Sequence, residues 1–308
     1  LCRLSGMSQV FFSNAGAEAN EAALKIARKF GNDKGINTPT VIVMNNSFHG
    51  RTMATLSATG NPKVQAGFAP LVEGFIHVPF DDVEAVKTLA KSHDNIVAIL
   101  VEPVQGEGGV HIPASNYLND LREICDQHQW LLMLDEIQTG NGRTGRYFAC
   151  QHNDILPDVM TTAKGLANGA PIGACLVRGA AMNVLQPGNH GSTFGGNPLS
   201  CAAGLAVLNE LETHNYPLRA AELGALIVQK LKHNLSDCDL ISDIRGLGLM
   251  IGIELKKDCG ELVKQAQDQG LLINVTAQNT IRLLPPLIMS DEDLEQMLNI
   301  LCPLIKNF

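Results

Sequence analysis

Metal-binding spacing is the first thing this sequence lacks. Its eight cysteines, at 2, 125, 150, 175, 201, 238, 259 and 302, never form a C-x-x-C pair, and its nine histidines never fall in an H-x-x-x-H or H-E-x-x-H pattern. Scattered cysteines of this kind read as reduced core thiols of a cytosolic protein, not as a disulfide framework or a metal site. Positive charge is also short: 23 Lys and Arg stand against 31 Asp and Glu, a formal net charge of −8. Nucleic acid and anionic membrane are therefore poor partners. No apolar run reaches membrane-spanning length, and no signal peptide opens the chain. Low-complexity segments and internal repeats are missing too. The first residue is Leu, and "LCRLSGMSQVFF" reads like the inside of a domain, so a preceding segment is expected.

What is present is an ordinary globular composition of 308 residues, 45% hydrophobic and 18% charged, with room for one or two domains. "VFFSNAG" (10–16) is apolar and then turn-like. From Ala17 onward, apolar residues fall at 19, 22, 23, 26, 27 and 30, a helical period that Gly31 is expected to end. "TVIVMNN" (40–46), "NIVAILVEP" (95–103), "WLLMLDE" (130–136), "PDVMTTAK" (157–164) and "IGACLV" (172–177) read as strands, and 115–129 and 195–212 as helices. This alternation predicts an α/β fold, a mainly parallel sheet with helices on both faces, in a large domain over 1–212. After Glu212 the texture changes, and a smaller α+β domain is expected over 213–308.

In such sheets ligands sit beyond the carboxyl ends of the strands. Glu102, Asp135 and Lys164 all fall at expected strand ends. A carboxylate that ends a buried strand is costly unless paired. Taken alone, Asp135 is a helix cap or a structural ion pair. Followed by Gln138 and the Gly- and Arg-rich "TGNGRTGR", it suggests a ligand that needs a buried anion. Lys164 sits among small residues in "TTAKGLANGAPIG", a setting that can lower a lysine's pKa and make it a nucleophile; taken alone, it reads equally as an exposed loop lysine. "NAGAEAN" brings a turn to a helix N-terminus, a place for phosphate. A phosphate cradle, a buried acid and a nucleophilic lysine are what pyridoxal phosphate requires: the lysine forms the Schiff base, and the acid keeps the pyridine nitrogen protonated. "GLGLMIG" (246–252) is not a dinucleotide loop, because its third glycine comes one place late and a strand follows.

At this point the chain resembles the class III aminotransferases, fold type I enzymes that use pyridoxal phosphate. The motifs "SNAGAEANEAALKIAR", "NSFHGRT", "VEPVQGEGGV", "LDEIQTGNGRTG", "AKGLANGAPIGA", "HGSTFGGNPLSCA", "RGLGLMIGIEL" and "IRLLPPL" carry the resemblance through almost the whole chain. "NSFHGRT", "GSTFGGNPL" and "RGLGLMIGIEL" narrow it toward the acetylornithine aminotransferases. The resemblance implies a seven-stranded type of sheet and the following roles. Lys164 would hold the cofactor and shuttle a proton. Asp135 would pair with the pyridine nitrogen, and Gln138 would lie near the phenolic oxygen. Glu136 and Ile137, between them, are counted as cofactor-binding. Gly16 and Ala17 would give backbone N–H groups to the phosphate, and Phe48 would stack on the ring. Thr193 would reach the phosphate of the partner subunit in a homodimer with shared sites. Ser192 would lie beside the substrate. Arg51 would bind the carboxylate of acetylornithine and Arg282 the α-carboxylate of glutamate or 2-oxoglutarate, with Glu107 pairing Arg282 when the other donor is bound. Glu102 is read as structural.

The sequence departs from the family in two small ways. Ala15 stands where Ser is frequent, and Asn141 where an apolar residue or Gly is frequent. The segment that precedes Leu1 in the family adds to the smaller domain and the substrate pocket. Succinylornithine, ornithine and 4-aminobutyrate aminotransferases remain open, as do glutamate-1-semialdehyde aminomutase and an inactive cofactor-binding fragment.

Overall fold

Short apolar runs bounded by turns become fully buried strands here. In the computed structural model, which describes residues 1–308, the first sheet is built from β1 (Gln9–Ser13), β2 (Thr40–Met44), β3 (Phe75–Val78), β4 (Ile96–Val101), β5 (Leu131–Asp135), β6 (Val159–Thr162) and β7 (Gly173–Val177). Their order is β1-β7-β6-β5-β4-β2-β3. β2 to β6 pair in parallel, and β7 runs antiparallel to both β1 and β6. Every residue of β2, β4, β5, β6 and β7 is buried, as expected for strands covered on both faces.

Alternate residues feed two separate cores. Ile42, Met44, Leu132 and Leu134 join one cluster, and Val41, Val43, Leu131 and Met133 the other. That period of two decides where a strand's last residue points. Asp135 shares the parity of Leu131 and Met133, so it faces the side covered by a long helix, Gly16–Asp33.

The helices are α1 (Cys2–Ser5), α2 (Gly16–Asp33), α3 (Met53–Ala58), α4 (Pro62–Gln65), α5 (Val83–Ser92), α6 (Tyr117–His128), α7 (Pro198–Thr213), α8 (Tyr216–Asn234), α9 (Glu261–Asp268) and α10 (Asp291–Lys306). A second, antiparallel sheet of β8 (Ile241–Leu247), β9 (Met250–Leu255), β10 (Asn274–Thr276) and β11 (Thr280–Leu283) has the order β10-β11-β9-β8. With α8, α9 and α10 it encloses its own core around Leu223, Ile227, Ile251, Ile253 and Leu301.

Two expected boundaries move. Gly31 does not end α2, which runs on to Asp33; a glycine stands there because a Cβ would come within 2.7 Å of Pro39 and Val97. The helix expected from 195 begins at Pro198, where Asn197 Oδ1 accepts the Ser200 N–H at 3.0 Å. Gly195 instead lies flat against the Phe12 backbone of β1.

The contact of α8 with the β8–β9 turn is equally tight. Gly224 has no room for a Cβ against the Gly248 carbonyl, and Gly248 has φ +55°. Gly224→Ala should lower stability by roughly 1–3 kcal/mol through overpacking, read as a drop in the denaturant midpoint; an unchanged midpoint would mean this contact is soft.

Candidate active site

The parallel order places β4, β5 and β6 side by side, so residues at their carboxyl ends converge. Asn14 to Ala17, Phe48, His49, Glu102, Asp135, Ile137, Gln138 and Lys164 surround one cavity of about 340 Å³. Of the expected cofactor residues, Gly16, Ala17, Phe48, Asp135, Ile137, Gln138 and Lys164 stand in its wall.

At one end lies the start of α2. Its N-cap, Ala15, makes no side-chain cap bond. Glu18 Oε2 accepts the Asn14 N–H and the Asn14 carboxamide, each at 2.9 Å. The Gly16 and Ala17 N–H groups belong to the first turn, which no intrahelical carbonyl can satisfy, and the helix dipole favours an anion there. Ile137 packs so closely that a Cβ at Gly16 would come within 2.8 Å of it.

At the other end Asp135 is only 4% exposed. Asn20 Nδ2 donates to its Oδ2 at 2.8 Å, and the Ile137 N–H donates to its Oδ1 at 3.1 Å. His49 Nδ1 lies 2.8 Å from Oδ2, so a carboxylate there selects the tautomer that carries its proton on Nδ1. Asn20 in turn accepts the Thr161 hydroxyl at 2.7 Å and donates to the His49 carbonyl at 2.7 Å. These bonds meet the cost of burying a charge. Asn20 and His49 were not singled out from sequence. Asn20 is one polar residue on the otherwise apolar face of α2, and that is the signal which could have found it.

Lys164 follows β6 at φ +44°, a left-handed backbone that non-glycine residues adopt rarely. Asn141 Nδ2 fixes the preceding backbone, donating to Thr162 Oγ1 at 2.9 Å and to the Ala163 carbonyl at 3.1 Å. The side chain opens into the cavity between walls of protein. Lys164 as a whole is exposed to the open cavity, yet the protein around its amine removes enough water to hold it below the usual lysine value, against the opposing pull of Asp135, Glu102 and Glu107. A depressed pKa leaves more neutral amine at a given pH, which is the form that attacks a carbonyl.

Glu102 lines the cavity yet spends both oxygens on backbone. Oε1 accepts the Phe48 N–H at 2.8 Å and Oε2 the Gly106 N–H at 3.2 Å. Burial raises its pKa to about 7, with His49 opposing and Asp135 adding to the rise. At the rim, Arg282 Nη1 donates to Glu107 Oε1 at 2.8 Å and to Gln138 Oε1 at 3.1 Å. Arg282 Nε is buried without a partner.

Four expected residues lie elsewhere. Glu136, counted with the cofactor residues, turns away: its carboxylate is fully buried and accepts the Thr139 hydroxyl and the Ala149 and Cys150 N–H groups, tying two loops together. The parity of the strand explains this, because Asp135 takes the cavity side. Arg51 is exposed and outside the cavity wall. Ser192 Oγ accepts from Asn14 Nδ2 and from the Gly195 N–H, each at 3.2 Å. Ser192 and the exposed Thr193 line a separate groove beyond the start of α2.

Fitted to pyridoxal phosphate, the donor set is complete in kind: free N–H groups for the phosphate, a buried carboxylate for the ring nitrogen, and an amine for the aldehyde carbon. Two tests need no substrate. Asn20→Ala should cost about 1–3 kcal/mol of stability by stripping a donor from buried Asp135, measured by denaturant unfolding; no loss would mean that water replaces it freely. Reductive methylation of Lys164, followed by mass spectrometry against pH, should reach half its maximal rate below the midpoint of the surface lysines. A midpoint at or above theirs would contradict the desolvated setting.

The comparisons with known proteins agree with this chemistry. The family model "Aminotransferase class-III" matches residues 1–305. The acetylornithine aminotransferase of Nitrosomonas europaea is 54% identical over all 308 residues, which cover 78% of that protein. The ornithine aminotransferase structure from Toxoplasma gondii aligns with a TM-score of 0.95 at 38% identity, covering 99% of this chain and 74% of that one. The acetylornithine aminotransferase structure from Elizabethkingia anophelis gives 0.87 at 36% identity, covering 100% and 76%. With its motifs, its sheet order and its lysine–carboxylate cavity in agreement, the chain belongs to the class III aminotransferases, whose cofactor is pyridoxal phosphate.

Proposed function

We propose that the chain moves the δ-amino group of N2-acetyl-L-ornithine to 2-oxoglutarate, giving N-acetyl-L-glutamate 5-semialdehyde and L-glutamate by a ping-pong route in arginine biosynthesis. The observation that carries this reading is the 2.8 Å pair between Arg282 and Glu107 at the rim of the lysine cavity. Two unlike donors must share one site. Glutamate brings an α-carboxylate next to its reacting carbon, and a free Arg282 would grip it with two prongs. Acetylornithine brings no carboxylate beside its δ-carbon, so an unpaired guanidinium there would be a buried, uncompensated charge. Glu107 neutralises it. Its own side chain is 37% exposed against 10% for Arg282, so Glu107 is the member free to leave.

Pyridoxal phosphate, when bound, supplies a protonated ring that accepts the electron pair left on a carbon beside the amine. The residues do the rest. Asp135 holds the proton on the ring nitrogen, and His49 and Asn20 hold Asp135. Gly16 and Ala17 would hold the phosphate, Phe48 would cover a ring face, and Gln138 would lie toward the phenolic oxygen; all four line the cavity. The neutral Lys164 amine removes the proton from the amine-bearing carbon of the substrate and returns it on the other side of the exchange. Arg51 and Ser192 stand outside the cavity wall, so it is the family resemblance, not this geometry, that supports Arg51 as the partner of the remote carboxylate of acetylornithine and Ser192 as a neighbour of the substrate. Thr193 belongs to the site of a second copy: it is exposed beside Phe194 and Leu199, 70% and 79% exposed, an apolar surface that suits a homodimer face.

Ornithine aminotransferase is the second reading, favoured by the likeness to the Toxoplasma gondii structure. A visible spectrum of the cofactor-loaded protein separates the two. N-acetylornithine should bleach the band, 2-oxoglutarate should restore it, and free ornithine should act far more slowly. Bleaching by ornithine and not by N-acetylornithine would move the assignment to the second reading. A band that returns without any oxo-acid would point to an aminomutase. Arg282→Ala should lower kcat/KM for glutamate about a hundredfold through loss of the carboxylate pair.

A further inference from the structure

We propose that Arg245 is a positioning residue for the substrate gate: it holds the loop that carries Glu107 against Arg282, and so sets how the site chooses between its two donors. The proposal rests on reading Glu107 and Arg282 as that gate.

The loop is pinned at its base, where Gln105 and His111 exchange two backbone hydrogen bonds of 3.0 Å. Its far limb is strained. Gly109 has φ +121°, and Val110, a β-branched residue, has φ +54°, a conformation such residues rarely adopt. Strain of this kind persists only where the surroundings impose it. Val110 is fully buried with Val104 and Met250. Beneath it lies Gly252 of β9, where a Cβ would come within 2.9 Å of the Val110 Cβ.

Arg245 of β8 supplies the polar part of the grip. Its Nη2 donates to the Gly109 carbonyl at 2.6 Å and its Nε to the Val110 carbonyl at 2.8 Å. Its Nη1 is anchored to Glu254 at 2.7 Å and to Asp243 at 2.9 Å. One planar fork therefore spans two successive carbonyls and is fixed from behind by acids. A lysine ammonium has no such fork. On the near limb, the Thr276 hydroxyl donates to the Glu107 carbonyl and Glu102 accepts the Gly106 N–H. Glu107 thus stands on a loop whose strained half is held by Arg245. Without that fork two carbonyls lose their donors, the limb relaxes, and the Glu107 carboxylate leaves Arg282.

The test runs the two half-reactions separately, N-acetylornithine against glutamate, for Arg245→Lys alone and in a Glu107→Ala background. The expected result is a loss of about tenfold in kcat/KM for N-acetylornithine with a change of less than about twofold for glutamate. In the Glu107→Ala background the effect of Arg245→Lys should vanish, because both changes act through one contact. Amide hydrogen exchange, without cofactor or substrate, should quicken over residues 105–111 alone. Equal losses in both half-reactions, losses that add to those of Glu107→Ala, or faster exchange across the whole second sheet would overturn the proposal. Should Arg245→Lys fail to fold, Gly252→Ala displaces Val110 from the other side and should give the same asymmetry; symmetric losses there also overturn it. If Glu107→Ala alone leaves both half-reactions unchanged, the gate reading falls and this proposal with it. If Glu107→Ala is asymmetric and Arg245→Lys is silent, only the proposal falls.

Discussion

Everything in the site depends on a carboxylate held at the buried end of β5. A strand that runs Leu-Leu-Met-Leu into the core has no ordinary reason to finish on Asp135. The charge is tolerated because α2 delivers Asn20, the loop after β2 delivers His49, and the backbone turns at once to offer the Ile137 N–H. Each partner is fixed in turn, Asn20 by the Thr161 hydroxyl of the neighbouring strand. Both oxygens of Asp135 are thus met by fixed donors, which holds the carboxylate in one orientation; His49 Nε2 is the atom of this network that is buried without a partner.

The same economy of position runs through the rest of the cavity. Parallel pairing brings the ends of β4, β5 and β6 together, so Glu102, Asp135 and Lys164 meet although 62 residues separate the first from the last. Strand parity then sorts neighbours: Asp135 faces the cavity and Glu136, one residue on, ties down the loops behind it. Lys164 stands at a strained backbone angle that Asn141 holds from the preceding residues. The proposed substrate gate, the Arg282–Glu107 pair, sits farther out, where the second sheet meets the loop of Glu107. The cavity around Asp135 is built on the first sheet, and the Glu107–Arg282 pair lies between the first sheet's loops and the second sheet.

Much of this was legible in the sequence, and for local reasons. The apolar runs marked the five central strands, the 3.6-residue period marked α2, and the acid and lysine at strand ends marked the cavity. β3 and α5 escaped notice because Phe75–Val78 is short and only half-buried, and because α5 buries a single residue, Val86. Gly31 misled because a glycine in a helix signals an end locally, whereas here it serves packing against Pro39 and Val97. His49 and the loop-holding role of Arg245 were hidden for a different reason: Asp135 lies 86 residues from His49 and the Val110 carbonyl 135 from Arg245, so no local pattern announces those contacts, whereas Asn20 left only a faint mark as a polar residue on the apolar face of α2. Neither could spacing reveal that Glu136 points away from the cavity, since that depends on the strand's register.

The most direct measurement is nitrogen-15 NMR of the ring nitrogen of bound pyridoxal phosphate, in the native protein and in Asp135→Asn. A buried carboxylate held by Asn20, His49 and Ile137 should keep that nitrogen protonated throughout the neutral range, and the proton should be lost in Asp135→Asn while the protein stays folded. An unprotonated ring nitrogen in the native protein, or no change on replacing Asp135, would contradict the role given to the carboxylate on which the site is built.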